Sequence, residues 1–205
     1  MSFKFSTADT AIALVDHQVG TINWAGELTP EEREQLKMFV RVFARFAKAA
    51  QMPVVLTSSL ETQAQGLLLP ELKEIFPDEY EKRIKRTGVI NAWDDQNFAK
   101  AVRAAGCKNL IMSGLTTDVC LTPPALSAKA EGFNVVCLFD QSGACTKTAA
   151  INSRQLLEQA GIPIMTTIPM ITHLLGDYTN PAANAWFQAM DQEKVFDLLG
   201  KGDVR

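Results

Sequence analysis

Short segments that are apolar at successive positions alternate along this chain with longer segments of helical period. TAIALVD (10–16) is followed by EEREQLKMFVRVFARFAKAA (31–50), and PVVLTSS (53–59) by PELKEIF (70–76). RIKR (83–86), DDQNFAKAVRAAG (94–106), KNLIMSG (108–114), ALSAKAEG (125–132), NVVCLFD (134–140), KTAAINSRQLLEQAG (147–161) and IPIMTT (162–167) continue the pattern. Successive strand residues point to opposite sides of a sheet, so a strand apolar at consecutive positions is buried on both faces. Such strands joined by helices make a parallel sheet covered on both sides. The chain is therefore read as a doubly wound α/β fold with six parallel strands in the order 3-2-1-4-5-6.

Within 31–50, Leu36, Phe39, Val40, Phe43 and Phe46 recur at three- and four-residue intervals, which makes one face of a helix. Gly106, Gly132 and Gly161 each close a helical run just before a strand, where a left-handed cap is needed. No Pro/Gly/Ser-rich linker or repeat divides the sequence, so residues 1–205 are expected to be one domain. A domain of that length buries about 70–75% of its unfolded surface.

The charge balance bears on partners. Lys and Arg number 20 against 23 Asp and Glu, for a net charge of −3, and no basic run could track a phosphate backbone. Nucleic acid is not an expected partner. No segment approaches the ~18 apolar residues of a membrane span, and MSFKFSTAD has no apolar signal core. A soluble, cytoplasmic protein is expected. Its cysteines, Cys107, Cys120, Cys137 and Cys145, show neither CxxC spacing nor the density of a disulfide framework, so they are read as reduced thiols.

One of them occupies an unusual place. In SGLTTDVC (113–120), Cys120 falls where the fourth strand gives way to a helical run, and a helix start favours thiolate through its unpaired N–H groups and dipole. Ligands in doubly wound sheets bind beyond the carboxyl ends of the strands, where the strand order reverses. The first and fourth strands are neighbours there, so Asp16, which ends ALVDHQ, can face Cys120. Arg86 ends the short third strand. A thiolate attacks carbonyl carbon, a carboxylate carries its proton, and a fixed cation supports the charge. Cys145 is the rival nucleophile, but it has no second carboxylate–cation pair in view. Cys107 and Cys137 are read as packing residues. His17 and His173 stand far apart without other metal ligands at suitable spacing, so structural roles are assigned to both and no metal or cofactor is expected. Gln18, Asn91, Trp93 and Thr117 are candidates to line the substrate pocket.

The stretches ALVDHQ, LTSSLETQAQGLLLPEL, RTGVINAWDD, GLTTDVCLTPPALSAKAEGF and LFDQSGA, spread in order over about residues 10–145, resemble the isochorismatase-like cysteine hydrolases, and within them the YcaC-like subgroup. The resemblance implies a catalytic triad of Asp16, a basic residue ending the third strand, and nucleophilic Cys120. It further implies a cis peptide before Thr116 and an oxyanion hole formed by the backbone N–H groups of Thr116 and Cys120. Most of the family carries lysine as the basic residue, whereas alignment on NAW puts Arg86 there. Lys85 is adjacent, and strand alternation lets only one of the two enter the site. The Asp/His metal cluster of the nicotinamidase branch is missing from TSSLETQAQG.

These readings together lead to hydrolysis of a C–N bond in a small amide through a Cys120 thioester. Isochorismate-type vinyl ether hydrolysis and a non-catalytic binding or assembly role are the alternatives. A receiver-like phosphoacceptor at Asp16 is a weaker one, because ALVDHQ supplies a single acidic residue. The segment 180–200 places Ala183, Trp186, Phe187 and Met190 on one stripe. Together with the octamers of YcaC-like relatives, that stripe leads to the expectation of a homo-oligomer with this tail between subunits, the alternative being that the stripe folds back on its own domain.

Overall fold

The structure is a computed structural model describing residues 4–199. Its strands are β1 (Thr10–Val15), β2 (Val54–Ser59), β3 (Ile84–Arg86), β4 (Asn109–Gly114), β5 (Asn134–Leu138) and β6 (Ile164–Met165). They form one parallel sheet in the order β3-β2-β1-β4-β5-β6, as expected from the sequence.

The alternation of strand side chains divides the core into two layers. From β1, Ile12 and Leu14 join Ile111, Val136 and Leu138 under the helix Pro30–Ala49 and the C-terminal helices. Ala11, Ala13 and Val15 join Leu110, Met112, Val135 and Cys137 on the other side, under the helices Gln96–Ala104 and Thr122–Ala130. The long helix starts at a capping box in which Thr29 and Glu32 satisfy each other's backbone N–H groups. Leu36, Val40, Phe43 and Phe46 are buried along it, and Phe39 is half-buried. Gly106, Gly132 and Gly161 take φ values of 71°, 103° and 71° at the helix ends, as the left-handed cap requires.

One strand boundary is corrected here, and the C-terminal stripe takes the own-domain alternative at most of its positions. The last strand is Ile164–Met165 rather than all of 162–167, since Pro163 has no N–H for a ladder and the next helix begins at Thr167. The C-terminal stripe also turns inward. Ala183, Trp186 and Met190 of the helix Ala182–Gln192 are buried in the core beside the long helix, and Glu193 is tied to Arg41 (2.6 Å) and Arg45 (3.4 Å). Own-chain packing therefore takes three of the four residues assigned to a subunit contact. Phe187 remains 41% exposed, beside Tyr178 at 66%. Gly200, at the end of that stretch, lies outside the described residues. No helix among those described is long and apolar enough to cross a membrane.

Candidate active site

Three strand ends meet beyond the carboxyl edge of the sheet. Asp16 follows β1 with a left-handed backbone (φ 57°), a conformation that costs a non-glycine residue about 1–3 kcal/mol unless neighbours hold it. They do. The Asp16 N–H donates to the Thr57 carbonyl (3.0 Å), and its own carbonyl accepts from the Gln18 N–H (2.8 Å) and the Thr21 hydroxyl (2.6 Å). The carboxylate is thereby fixed in a fully buried position.

Arg86 is equally buried and forms an ion pair through Nη2 with Asp16 Oδ2. Its Nη1 donates to the carbonyls of Val89 (2.7 Å) and Ile90 (2.8 Å), and its Nε to the Thr57 hydroxyl (3.1 Å). The planar fork is thus filled on three sides, which a lysine ammonium could not reproduce. Lys85 points the other way and is exposed. Thr57 escapes sequence reading; its only signal is a hydroxyl amid the apolar run VVLTSS.

Cys120 is half-buried in a wide turn, Thr117–Leu121, of the i→i+5 type, between β4 and the helix Thr122–Ala130. The peptide bond Leu115–Thr116 is cis. The Cys120 thiol interacts with the Asp16 carboxylate. Asp16 Oδ1, the oxygen not taken by Arg86, has no hydrogen-bond partner among the described residues.

The electrostatics differ from the sequence expectation. Burial, then the charge of Asp16, pushes the Cys120 thiol far above its ordinary range, against smaller opposite effects of the Thr116 backbone and Arg86. Burial also raises Asp16, against the pull of Arg86. At rest Cys120 is therefore a protonated thiol, beside a carboxyl group whose affinity for a proton is raised. Helix-start stabilisation is lost because the regular helix begins only at Thr122, and the Cys120 N–H is already bonded to the Thr116 carbonyl (2.7 Å). The same bond occupies one of the two expected oxyanion donors in the resting site.

The four pocket candidates are placed differently. Gln18 is buried, and its side-chain amide is spent on backbone, donating to Ser59 (2.8 Å) and Gly66 and accepting from the Ser59 N–H (2.9 Å). It fastens a loop. Asn91 caps the turn at Trp93 (3.1 Å) and donates to Ser127 (3.2 Å). Trp93 packs edge-on against Phe98 and Phe133 in the core, with its indole N–H on Glu131 (2.9 Å). Thr117 is buried, and its carbonyl accepts from the Thr122 hydroxyl (2.8 Å). The side chains of Gln18, Asn91 and Trp93 are thus engaged with other parts of the chain. Cys137 is buried in the core, Cys107 is half-buried, and Cys145 is exposed. Among the described residues, no three His, Cys, Asp or Glu side chains are grouped closely enough to hold a metal ion.

This arrangement of strand ends has known counterparts. The family model described as the isochorismatase domain matches residues 10–169. The chain belongs to the isochorismatase family. Within this family of hydrolases it is YcaC-like. It is 41% identical over 172 residues to the Escherichia coli K12 protein named probable hydrolase YcaC, covering 84% of this chain and 80% of that one. The solved structure of E. coli YcaC, described as an octameric hydrolase of unknown specificity, matches with TM-score 0.85 and 35% identity over 97% of this chain and 98% of that chain. YcaC from Pseudomonas aeruginosa, solved with hexane-2,5-diol and covalent acrylamide, matches with TM-score 0.87 and 32% identity over 98% and 99%.

His17, next to Asp16, is fully buried, with Nε2 on the Gln141 carbonyl (2.9 Å) and Nδ1 without a hydrogen-bond partner among the described residues. Burial lowers its pKa from 6.5 to about 4. The unfolded chain takes up a proton below 6.5 that the fold refuses, so this group's stabilisation is full above 6.5 and is lost as pH falls to 4, by about 3 kcal/mol. Asp140 acts in the opposite direction. Burial raises it from 3.8 to about 6 despite two hydrogen bonds from Thr167, so its penalty is present above 6 and disappears towards 3.8. The two nearly cancel. His17→Gln removes one arm, and between pH 7 and pH 4 it should gain about 3 kcal/mol relative to the parent in urea unfolding. A stability difference that stays constant with pH would refute this assignment.

Proposed function

We propose that this protein is a cysteine hydrolase that cleaves a C–N bond of a small amide through a thioester on Cys120. The observation that carries the reading is the buried Asp16–Arg86 pair set against a thiol at the switch point of the sheet. Cys120 Sγ attacks the substrate carbonyl carbon as its proton passes to Asp16. The C=O electrons move onto oxygen, towards the Thr116 N–H, and the Cys120 N–H joins it by leaving the Thr116 carbonyl. Collapse breaks the C–N bond, and the amine departs with the proton held by Asp16. Water then attacks the thioester, Asp16 takes its proton, and the acid leaves as Cys120 is reprotonated. Arg86, which stays protonated, holds the Asp16 carboxylate in place and exchanges no proton. The covalent acrylamide of the P. aeruginosa relative supports a site in this subgroup that accepts a small amide-bearing electrophile.

Assembly belongs to the same proposal. The E. coli relative is octameric, and Phe187, Phe196 and Leu198 on the C-terminal helices, with Tyr178 in the turn before them, leave apolar surface here. Native mass spectrometry after exposure to a panel of small amides and esters reads both claims. The expected result is an assembly of several 22.5 kDa chains, each carrying one acyl group that maps to Cys120. Acylation of Cys145 in place of Cys120 overturns the mechanism, and a mass of one chain overturns the assembly.

A further inference from the structure

The segment Gly143–Cys145, just past β5, runs beside the turn that carries Cys120 and is bonded to it at successive residues. Gly143 forms a parallel bridge with Leu115 and accepts the Thr117 N–H (3.0 Å). The Cys145 thiol lies on the Thr116 hydroxyl (3.6 Å), and the Cys145 N–H donates to Asp118 Oδ1 (3.2 Å). On the other side the Ala144 N–H donates to Glu27 Oε1 (2.6 Å), while the Glu27 N–H returns to the Ala144 carbonyl (3.3 Å). Two carboxylates from distant parts of the chain therefore hold consecutive backbone N–H groups of one short segment.

The packing is tight enough for this to fix positions. A Cβ on Gly143 would stand 2.8 Å from Ala25 Cβ and from Leu28 Cδ1, and one on Gly26 would stand 2.6 Å from the Cys145 carbonyl oxygen. Neither side of the segment can shift without moving the other. Burial and the nearby charges of Asp118 and Glu32 raise the Glu27 pKa, against the Ala144 N–H. A merely convenient surface residue would not carry that cost.

We infer that Glu27 and Asp118 are positioning residues that clamp Gly143–Cys145 against Leu115–Asp118 and so fix the carbonyl-binding wall beside Cys120. The inference rests on the reading of Cys120 as nucleophile. Neither carboxylate touches the reacting atoms, so the effect is on the attack geometry, where displacements below an ångström matter.

The test uses p-nitrophenyl acetate and the full-length protein. Acyl transfer makes the C–S bond and breaks the ester C–O bond, releasing p-nitrophenolate, while the thiol proton goes to Asp16. Glu27→Ala and Asp118→Ala should each slow acetylation of Cys120 about tenfold. Glu27→Gln and Asp118→Asn, which keep the accepting oxygen, should stay within about twofold of the parent. Iodoacetamide should meanwhile alkylate Cys145 faster in the alanine variants, a change that a loss of global stability would not produce in a protein still folded by circular dichroism. Parent-like acetylation in both folded alanine variants overturns the clamp. If Glu27→Ala does not fold, Asp118→Ala, a substitution near the surface, decides alone. A burst of p-nitrophenolate that survives Cys120→Ala overturns the nucleophile reading instead.

Discussion

On the proposed mechanism, Cys120→Ala is expected to lower turnover of any accepted amide by about 10⁶-fold, the scale on which removal of a nucleophile abolishes covalent catalysis. The fold should tolerate the change. Cys120 is half-buried and its loss leaves no charge unpaired, so unfolding in urea should move by no more than about 1 kcal/mol. Cys120→Ser should be almost as inactive. A hydroxyl holds its proton more strongly than a thiol, so its transfer to Asp16 is less favourable. Cys145→Ala is the control, since its exposed thiol has no buried carboxylate–cation pair beside it. If Cys145→Ala abolishes turnover and Cys120→Ala spares it, the nucleophile has been misassigned.

The parts of this site that were legible in the sequence are those set by strand geometry. The proximity of Asp16, Arg86 and Cys120 is legible because apolar strands end abruptly in polar residues, and parallel order 3-2-1-4-5-6 brings three of those ends together. Alternation puts Arg86 and Lys85 on opposite faces, and it is the alignment on NAW that selects Arg86, which is buried while Lys85 is exposed. The thiol's protonation was not legible. A helix dipole can be read from a strand-to-helix boundary, but the desolvation that overrides it depends on how deeply the turn is buried. The wide turn Thr117–Leu121 also moved the helix start past Cys120. Gln18 was misread for a similar reason. Its partners, Ser59 at the end of β2 and Gly66 in the loop that follows, lie 41 and 48 residues away, and that loop has no periodic signal. The same holds for Glu27 and Asp118, whose acceptor oxygens serve backbone N–H groups that no residue type announces.

Arg86→Ala should cost about 3–5 kcal/mol of stability as well as activity, because Asp16 would be left buried without its cation. The same truncation also strips donors from the carbonyls of Val89 and Ile90 and from the Thr57 hydroxyl. Stability and catalysis can nevertheless be separated. The combination Asp16→Asn with Arg86→Met removes both charges, and replacing a buried ion pair with neutral groups is far less costly than halving it. The double variant should therefore recover most of the stability lost in Arg86→Ala while remaining inactive, since nothing is left to accept the Cys120 proton. Arg86→Lys tests the fork itself. It keeps a positive charge near Asp16 but cannot also reach Thr57 and the two carbonyls, so it should fall between parent and alanine in stability. Lys85→Ala, on the opposite and exposed side of the strand, should leave both quantities near parental values. Urea unfolding of the four variants beside the parent, with turnover measured on the same preparations, decides the matter. Parent-like stability and turnover in Arg86→Ala would remove the ion pair from the mechanism.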